Sequence, residues 1–352
     1  SLTTGTQKNQ TYVSVGAVNA RGIIQNNDLD RYNFSVRNTT SMLNDKLTMD
    51  LSFMYSNVKE QNMLSQGEYA NPLVPVYLFP RGDDFSKYQY YERYDVDRNI
   101  KTQFWPLKEN GLSMQNPYWI TNRNMYTNKK DRFLASGSLK YTITDWLNVS
   151  GRVKLDKETI NSEKKMYAST LNVIAENSDK GAYVQSNKNT SQIYADAMLN
   201  INKYFYHDTW NLTASLGASL LDLDYKELNF GGGLLTIPNL FTSNNANVSG
   251  KLTYKNTNYH DRTNSLFGTF SLGYKGMVYV DGSLRNDWIS ALAGTNHSSI
   301  LYPSIGASAI LTNMFTMKSN ILSYAKVRLS YSEVGNAPER FRAITTYAVL
   351  GG

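Results

Sequence analysis

The stretch KLTMDLSFMY at residues 46–55 sets Leu47, Met49, Leu51, Phe53 and Tyr55 against Thr48, Asp50, Ser52 and Met54. Side chains alternate across a strand, so a period of two predicts a strand with one apolar and one polar face. The alternation recurs along the chain. Leu139, Tyr141 and Ile143 are followed, after Asp145, by Leu147, Val149, Gly151, Val153 and Leu155. Ala195, Ala197, Leu199 and Ile201 are answered by Leu212, Ala214, Leu216, Ala218 and Leu220. Leu266, Gly268, Phe270, Leu272 and Tyr274 precede Val278, Val280, Gly282 and Leu284, and Ile305, Ala307, Ala309 and Leu311 precede Ala325, Val327, Leu329 and Tyr331. With residues 32–43 and the N-terminal stretch, the pattern predicts roughly ten or eleven strands in successive antiparallel pairs.

The connections alternate in length. Asn44-Asp45, Thr144-Asp145, Tyr206-His207-Asp208 and Lys275-Gly276 make tight turns, whereas residues 56–131, 156–190, 222–261 and 286–300 form long connections. In an up-and-down sheet, alternate connections fall at opposite ends, so one end carries the turns and the other the loops. Tyr32, Tyr55, Tyr141, Trp146, Tyr204, Tyr206, Trp210, Tyr274, Trp288, Tyr302 and Tyr331 lie at or near strand ends, where the aromatic girdles of a membrane barrel belong. Together these features predict an all-β, antiparallel up-and-down transmembrane barrel, with Leu47, Met49, Leu51, Phe53 and Tyr55 facing lipid. A soluble carbohydrate-binding β-sandwich and a passive or adhesive barrel without energy coupling are the competing readings.

Composition agrees with a strand-rich chain: 26 tyrosines and 13 phenylalanines accompany only 18% charged residues. Cysteine is absent, which excludes disulfides and thiolate chemistry. The charge of +7 is scattered and forms no basic stripe of the kind nucleic acids require. No apolar run approaches the roughly 18 residues of a membrane helix, so a spanning structure must be a barrel.

Several segments go beyond general barrel grammar. YPSIGASAILTNMF (302–315) and LSYAKVRLSYSEVGN (322–336) resemble the Pro-Ser strand and the Lys-x-Arg-x-Ser-Tyr strand, ending in Gly-Asn, of SusC/RagA-type TonB-linked outer-membrane proteins. NPYWITNRNMYTNKKDRF (116–133) is similar to that family's Asn-Pro-Tyr-Trp segment and Asp-Arg strand start. LDRYNFSVRNTTSMLNDKLTMDLSFMYS (29–56) resembles its Arg-Tyr hairpin, and LLTIPNLFTSNNA (234–246) its Pro-Asn loop. The order also matches, over essentially the whole chain.

The resemblance implies a TonB-dependent importer in the outer membrane of Bacteroidota, built as a plug inside a barrel of roughly 22 strands. It further implies a SusD-like surface lipoprotein as lid, a TonB complex as energy source, and oligosaccharides or oligopeptides as cargo. Neither a plug nor a TonB-engaging box is recognisable here, so residues 1–352 are expected to be an internal piece of about half a barrel, with 56–131 as a long extracellular loop.

Candidate contacts to substrate or lid are the loop rings Tyr88, Tyr90, Tyr91, Tyr94, Trp105 and Trp119, since loop aromatics stack on sugars or dock proteins. The same rings serve equally as the loop's own core. Candidate lumen or plug-facing residues are Asp50, Lys140, Lys154, Asp196, Arg285 and Arg328. No catalytic constellation or cofactor motif stands out, so no enzyme activity, cofactor or metal is expected. Asp95-Val96-Asp97-Arg98-Asn99 copies the start of a calcium loop, but Ile100 and Pro106 occupy the positions that need Gly and Glu. His207, His260 and His297 lack ligand spacing and are expected in surface turns or loops. Gly231-Gly232-Gly233 fits no phosphate-binding pattern and is expected to be a flexible loop.

Overall fold

The computed structural model describes residues 1–63, 67–105, 114–247, 254–315, 322–340 and 342. Twelve of its strands form one antiparallel meander in chain order: β1 (Leu2–Gly5), β2 (Asn9–Arg21), β3 (Asp28–Met42), β4 (Leu47–Gln61), β7 (Asn124–Thr144), β8 (Leu147–Tyr167), β9 (Gly181–Phe205), β10 (Trp210–Gly233), β11 (Tyr254–Tyr274), β12 (Val278–Ile289), β13 (Ser299–Ile310) and β14 (Lys326–Ser332). A separate hairpin of β5 (Glu92–Asp95) and β6 (Ile100–Gln103) lies inside the long connection between β4 and β7, with the helices α1 (Leu73–Tyr77) and α2 (Pro117–Arg123). A third short helix, α3 (Leu311–Met314), precedes β14. None of the described helices is long and apolar enough to cross a membrane.

Register identifies the two faces. Leu51 pairs with Gly137, Gly137 with Val153, Val153 with Ala195 and Ala195 with Leu220, so the apolar positions of five strands share one side. One row away, Ser52 pairs with Ser136, Ser136 with Lys154 and Lys154 with Tyr194 on the other. An 820 Å³ groove on this second side brings together Thr3 of β1 and Lys154 of β8, with Tyr12, Arg37 and Ser136 between them. A second groove, of 680 Å³, crosses β4, β7, β8, β9 and β10 on the apolar side, where Gly137, Gly151, Ala195 and Ala218 leave room. The polar face carries the cross-strand Arg–Asp pairs and is the lumen wall of a barrel; the apolar face is its outer side.

Among the described residues, no second sheet covers the apolar face. Leu51, Leu139, Val153, Leu216, Leu266, Leu284 and Ile305 are all exposed, and the buried hydrophobic residues gather instead at the long-loop end: Trp105, Trp119, Met166, Ala175, Ala182 and Leu234. A sandwich would bury those strand residues between its layers, so the soluble alternative does not hold. Hydrocarbon is the solvent that suits this surface.

The strands run further than alternation predicts. Along the outer side of β10, Trp210, Leu212, Ala214, Leu216, Ala218 and Leu220 are apolar, and then Asp222, Asp224 and Lys226 follow on the same side while pairing continues to Gly233. Ten steps at about 3.4 Å, tilted by roughly 45°, span about 24 Å, which matches the apolar band of a membrane barrel. Beyond it both faces meet water, so the hydrophobic period fades while the ladder persists. The connections consequently shrink to 62–123, 168–180, 234–253 and 290–298. The triple glycine is likewise no flexible loop: it closes β10 in register with Ala182, Tyr183 and Val184 and is buried.

The four tight turns that the sequence predicts lie at one end, which also carries the longer β13–β14 connection, 311–325. Lys275 and Gly276 both take positive φ, 48° and 64°, the handedness that two-residue hairpins require. Leu43-Asn44-Asp45 and Tyr206-His207-Asp208 also lie in the left-handed region.

Candidate functional site

Four arginines of the lumen wall are paired within it. Arg37 and Asp50 pair at 2.8 Å, Arg132 and Asp156 at 2.5 Å, Arg152 and Asp196 at 2.6 Å, and Arg285 and Asp287 at 2.7 Å. Thr39 Oγ1 also donates to Asp50 at 2.7 Å, and an Arg285 guanidinium nitrogen donates to Ser265 Oγ at 2.8 Å. Each set joins side chains on the inner side, where register makes them direct or diagonal neighbours. All six sequence-predicted lumen residues occupy this side of the ladder. Asp50, Asp196 and Arg285 are engaged in these pairs, whereas Lys140, Lys154 and Arg328 form none of the ion pairs found among the described residues.

The outer side ends in a polar collar above the apolar band. Tyr55 Oη and Asn57 Nδ2 donate to Asp131 at 2.6 and 2.7 Å. Two strand pairs away, Asp222 accepts from His260 at 2.8 Å and pairs with Arg262 at 2.6 Å. His260 therefore belongs to a strand and an ion-paired collar, not to a turn or loop; His207 and His297 do sit in connections. Of the predicted girdle, Tyr32, Tyr55, Trp210, Tyr274 and Trp288 face outward. Tyr204 and Tyr302 pair with Asn211 and Arg285 on the inner side and leave the girdle. Lys203, the one cation among the outer apolar positions of β9, lies 4.4 Å over the Trp146 ring at the turn end.

The connection between β4 and β7 folds around its own core. Phe79 packs edge-on against Phe85 and Tyr88 at 4.9 and 5.3 Å, and Tyr88 meets Trp105 at 5.4 Å. Asn116 organises this core from a fully buried position. Its Nδ2 donates to the carbonyls of Tyr88 and Phe104 at 2.8 and 3.1 Å, and its Oδ1 caps α2 by accepting from Tyr118 N at 2.8 Å. Pro117 at the helix start costs no hydrogen bond there. Trp119 is 1% exposed and donates to Thr170 Oγ1 at 2.9 Å, fastening the loop to the β8–β9 connection. Glu92 joins β5, β6 and α2 through Lys101 and Arg123, each at 2.7 Å. Burial opposes ionisation of Glu92, but the hydrogen bonds from Lys101 and Arg123 outweigh it and hold the carboxyl below its ordinary range.

This geometry divides the six predicted loop rings. Tyr88, Trp105 and Trp119 are buried, and Tyr91 is half-buried against Trp119, so these four serve the loop core. Tyr90 and Tyr94, 63% and 59% exposed, present their rings to solvent. The calcium-like segment is the turn of the β5–β6 hairpin, where Asp95 accepts from Arg98 N at 3.1 Å. Among the described residues, no group of three or more His, Asp or Glu is arranged to hold a metal. Sequence reasoning passed over Asn116, Glu92 and Arg123, whose importance lies in partners distant along the chain.

No family model matches the chain, and no curated protein matches it. Solved structures do. The RagAB peptide transporter superposes with a TM-score of 0.69 at 17% identity, over 95% of this chain and 36% of that one. The ferric citrate transporter FecA gives 0.53 at 10% identity, over 87% of this chain and 37% of that one. The ferric preacinetobactin receptor BauA of Acinetobacter baumannii gives 0.52 at 8% identity, over 86% and 40%. The chain thus spans little more than a third of the length of these structures. Its fold is the antiparallel, up-and-down transmembrane barrel that these importers and receptors share.

Proposed function

We propose that this chain forms barrel wall in an outer-membrane importer that takes up oligopeptides or oligosaccharides by TonB-dependent active transport. The observation that carries the reading is the likeness to the RagAB peptide transporter over 95% of this chain. The two-faced wall is consistent with it: an apolar band of bilayer height outside, and a polar, charged lumen side. Lys140, Lys154 and Arg328 are among the lumen cations left to meet a plug or passing cargo. The loop sequence 56–131 reaches the extracellular side, where Tyr90 and Tyr94 offer contact to a SusD-like lipoprotein lid or to substrate. The resemblance in sequence to SusC/RagA proteins supports Bacteroidota as the source.

Uptake is the test. Deleting the gene is expected to abolish growth on, and accumulation of, at least one oligopeptide or oligosaccharide, with recovery on complementation and loss again under a protonophore. Unchanged uptake of every compound tested, or uptake indifferent to the protonophore, overturns active import. The second outcome, with solute leakage from liposomes holding the purified protein, favours a passive barrel.

A further inference from the structure

At the long-loop end, on the lumen side of β7 and β8, a 480 Å³ cavity lies beneath the β4–β7 connection. Its walls are mainly aliphatic: Ile24, Met63, Ile120, Met166 and Ile174. This volume falls within the roughly 300–1,000 Å³ of small-molecule sites. Of the four side chains in the lining that carry nitrogen donors, Gln25, Asn62, Asn124 and Lys164, the last two are placed with donor capacity unused.

The first is Asn124. The residue is 8% exposed, and its Nδ2 has no hydrogen-bond partner among the described residues. A relay of bonds fixes which way its amide points. Trp119 Nε1 donates to Thr170 Oγ1 at 2.9 Å, and the Thr170 hydroxyl donates onward to Asn124 Oδ1 at 2.8 Å. Indole N–H is donor only, so Thr170 Oγ1 accepts from Trp119 and has its own proton free for Asn124 Oδ1; with the amide placed this way, Nδ2 is the orphan. A buried donor without a partner costs about 1–3 kcal/mol, and such a cost retained in a fold points to a ligand or water that meets it.

The second is Lys164, whose pairing partner across the ladder is Tyr126 and whose neighbour in the same row, Met166, pairs with Asn124. Its ammonium donates to the Ile174 carbonyl at 3.4 Å, and among the described residues it forms no ion pair; Glu176 is the nearby acid. An ammonium has three protons to give. By contrast, two of the acceptors in the wall are occupied. The Thr121 carbonyl accepts from Asn26 and Asn62, and Asn62 Oδ1 accepts from Tyr126 N.

We propose that this cavity binds a carboxylate carried on an apolar body, with Lys164 and Asn124 Nδ2 donating to its two oxygens and the aliphatic wall covering the body. A neutral sugar fits the lining less well, because sugars need acceptors and flat aromatic platforms, and Tyr126 is the one ring present. The C-terminal residue of a peptide and a free alkyl carboxylate share the chemistry. Identifying the ligand as cargo rests on the import reading, but binding itself does not.

The complete protein purified in detergent is titrated calorimetrically with N-acetyl-leucine, N-acetyl-leucinamide and hexanoate. N-acetyl-leucine or hexanoate is expected to bind at least about tenfold tighter than the amide, the effect of one charge-assisted hydrogen bond. Preference for N-acetyl-leucine assigns the site to peptide ends, and preference for hexanoate to free alkyl carboxylates. Lys164→Met is expected to remove that advantage and Lys164→Arg to keep most of it, in variants that retain native thermal unfolding. The proposal is overturned if neither carboxylate binds, if the amide matches the acid, or if Lys164→Met binds undiminished. Each of these results can coexist with loss of uptake in the deletion experiment, so the two readings fail separately.

Discussion

A single buried amide does much to hold the extracellular loop together. Asn116 satisfies two carbonyls and one helix N–H, so Asn116→Ala removes an N-cap and strands two buried acceptors. The expected loss is roughly 2–4 kcal/mol, confined to the loop. Hydrogen exchange should show it as faster exchange in residues 67–105 with β7–β10 unchanged; equal protection of the loop in both proteins would sink the argument. Gly231 makes the opposite kind of demand. Its φ is +131°, and a Cβ there would lie 2.0 Å from the Tyr183 carbonyl oxygen. Gly231→Ala should therefore cost on the order of 1–3 kcal/mol, read as a lower denaturation midpoint. Neither role was legible in the sequence: the motif around Asn116 is recognisable, but its partners at Tyr88 and Phe104 are set by tertiary folding.

At the level of elements, the alternation of 46–55 fixes the face of β4, and the structure agrees residue for residue. The extent of the strands was less legible. Apolar alternation is imposed by lipid, and it stops where lipid stops, at Asp222 on β10 and Asp131 on β7. Hydrogen-bonded pairing needs no such pattern, so residues 222–233 read as loop and form strand. The loop hairpin also shows what periodicity cannot supply, because β5 and β6 are joined to α2 by charge. Glu92 has its folded pKa below the ordinary 4.5, so its pairing with Lys101 and Arg123 stabilises the loop above that value. That contribution fades as pH falls through the folded pKa. Loop opening, followed by proteolysis at graded pH, is expected to accelerate below about pH 4.5, and Glu92→Gln should flatten that dependence. A variant that keeps the wild-type pH profile would show that another group governs the loop.

Over the whole molecule, the decisive relation is between solvent and face. A soluble protein hides its apolar strand positions, whereas here Leu216, near the middle of the outer band of β10, is exposed, and Thr213 lies on the opposite, polar side. Identical charge placed at these two positions should thus have unequal effects. Leu216→Arg puts a guanidinium at the depth of the bilayer centre and is expected to cost about 2–4 kcal/mol. Thr213→Arg leaves the guanidinium in the lumen, where a surface-like change of within about 0.5 kcal/mol is expected. Reversible unfolding of the complete protein in lipid vesicles measures both. Equal costs would mean that the apolar face does not meet hydrocarbon, and with it the membrane-spanning reading of the sheet would be lost. A large cost at Thr213 alone would reverse the assignment of inside and outside, which rests on the register and the chemistry of the two faces and which this pair of substitutions tests from energy.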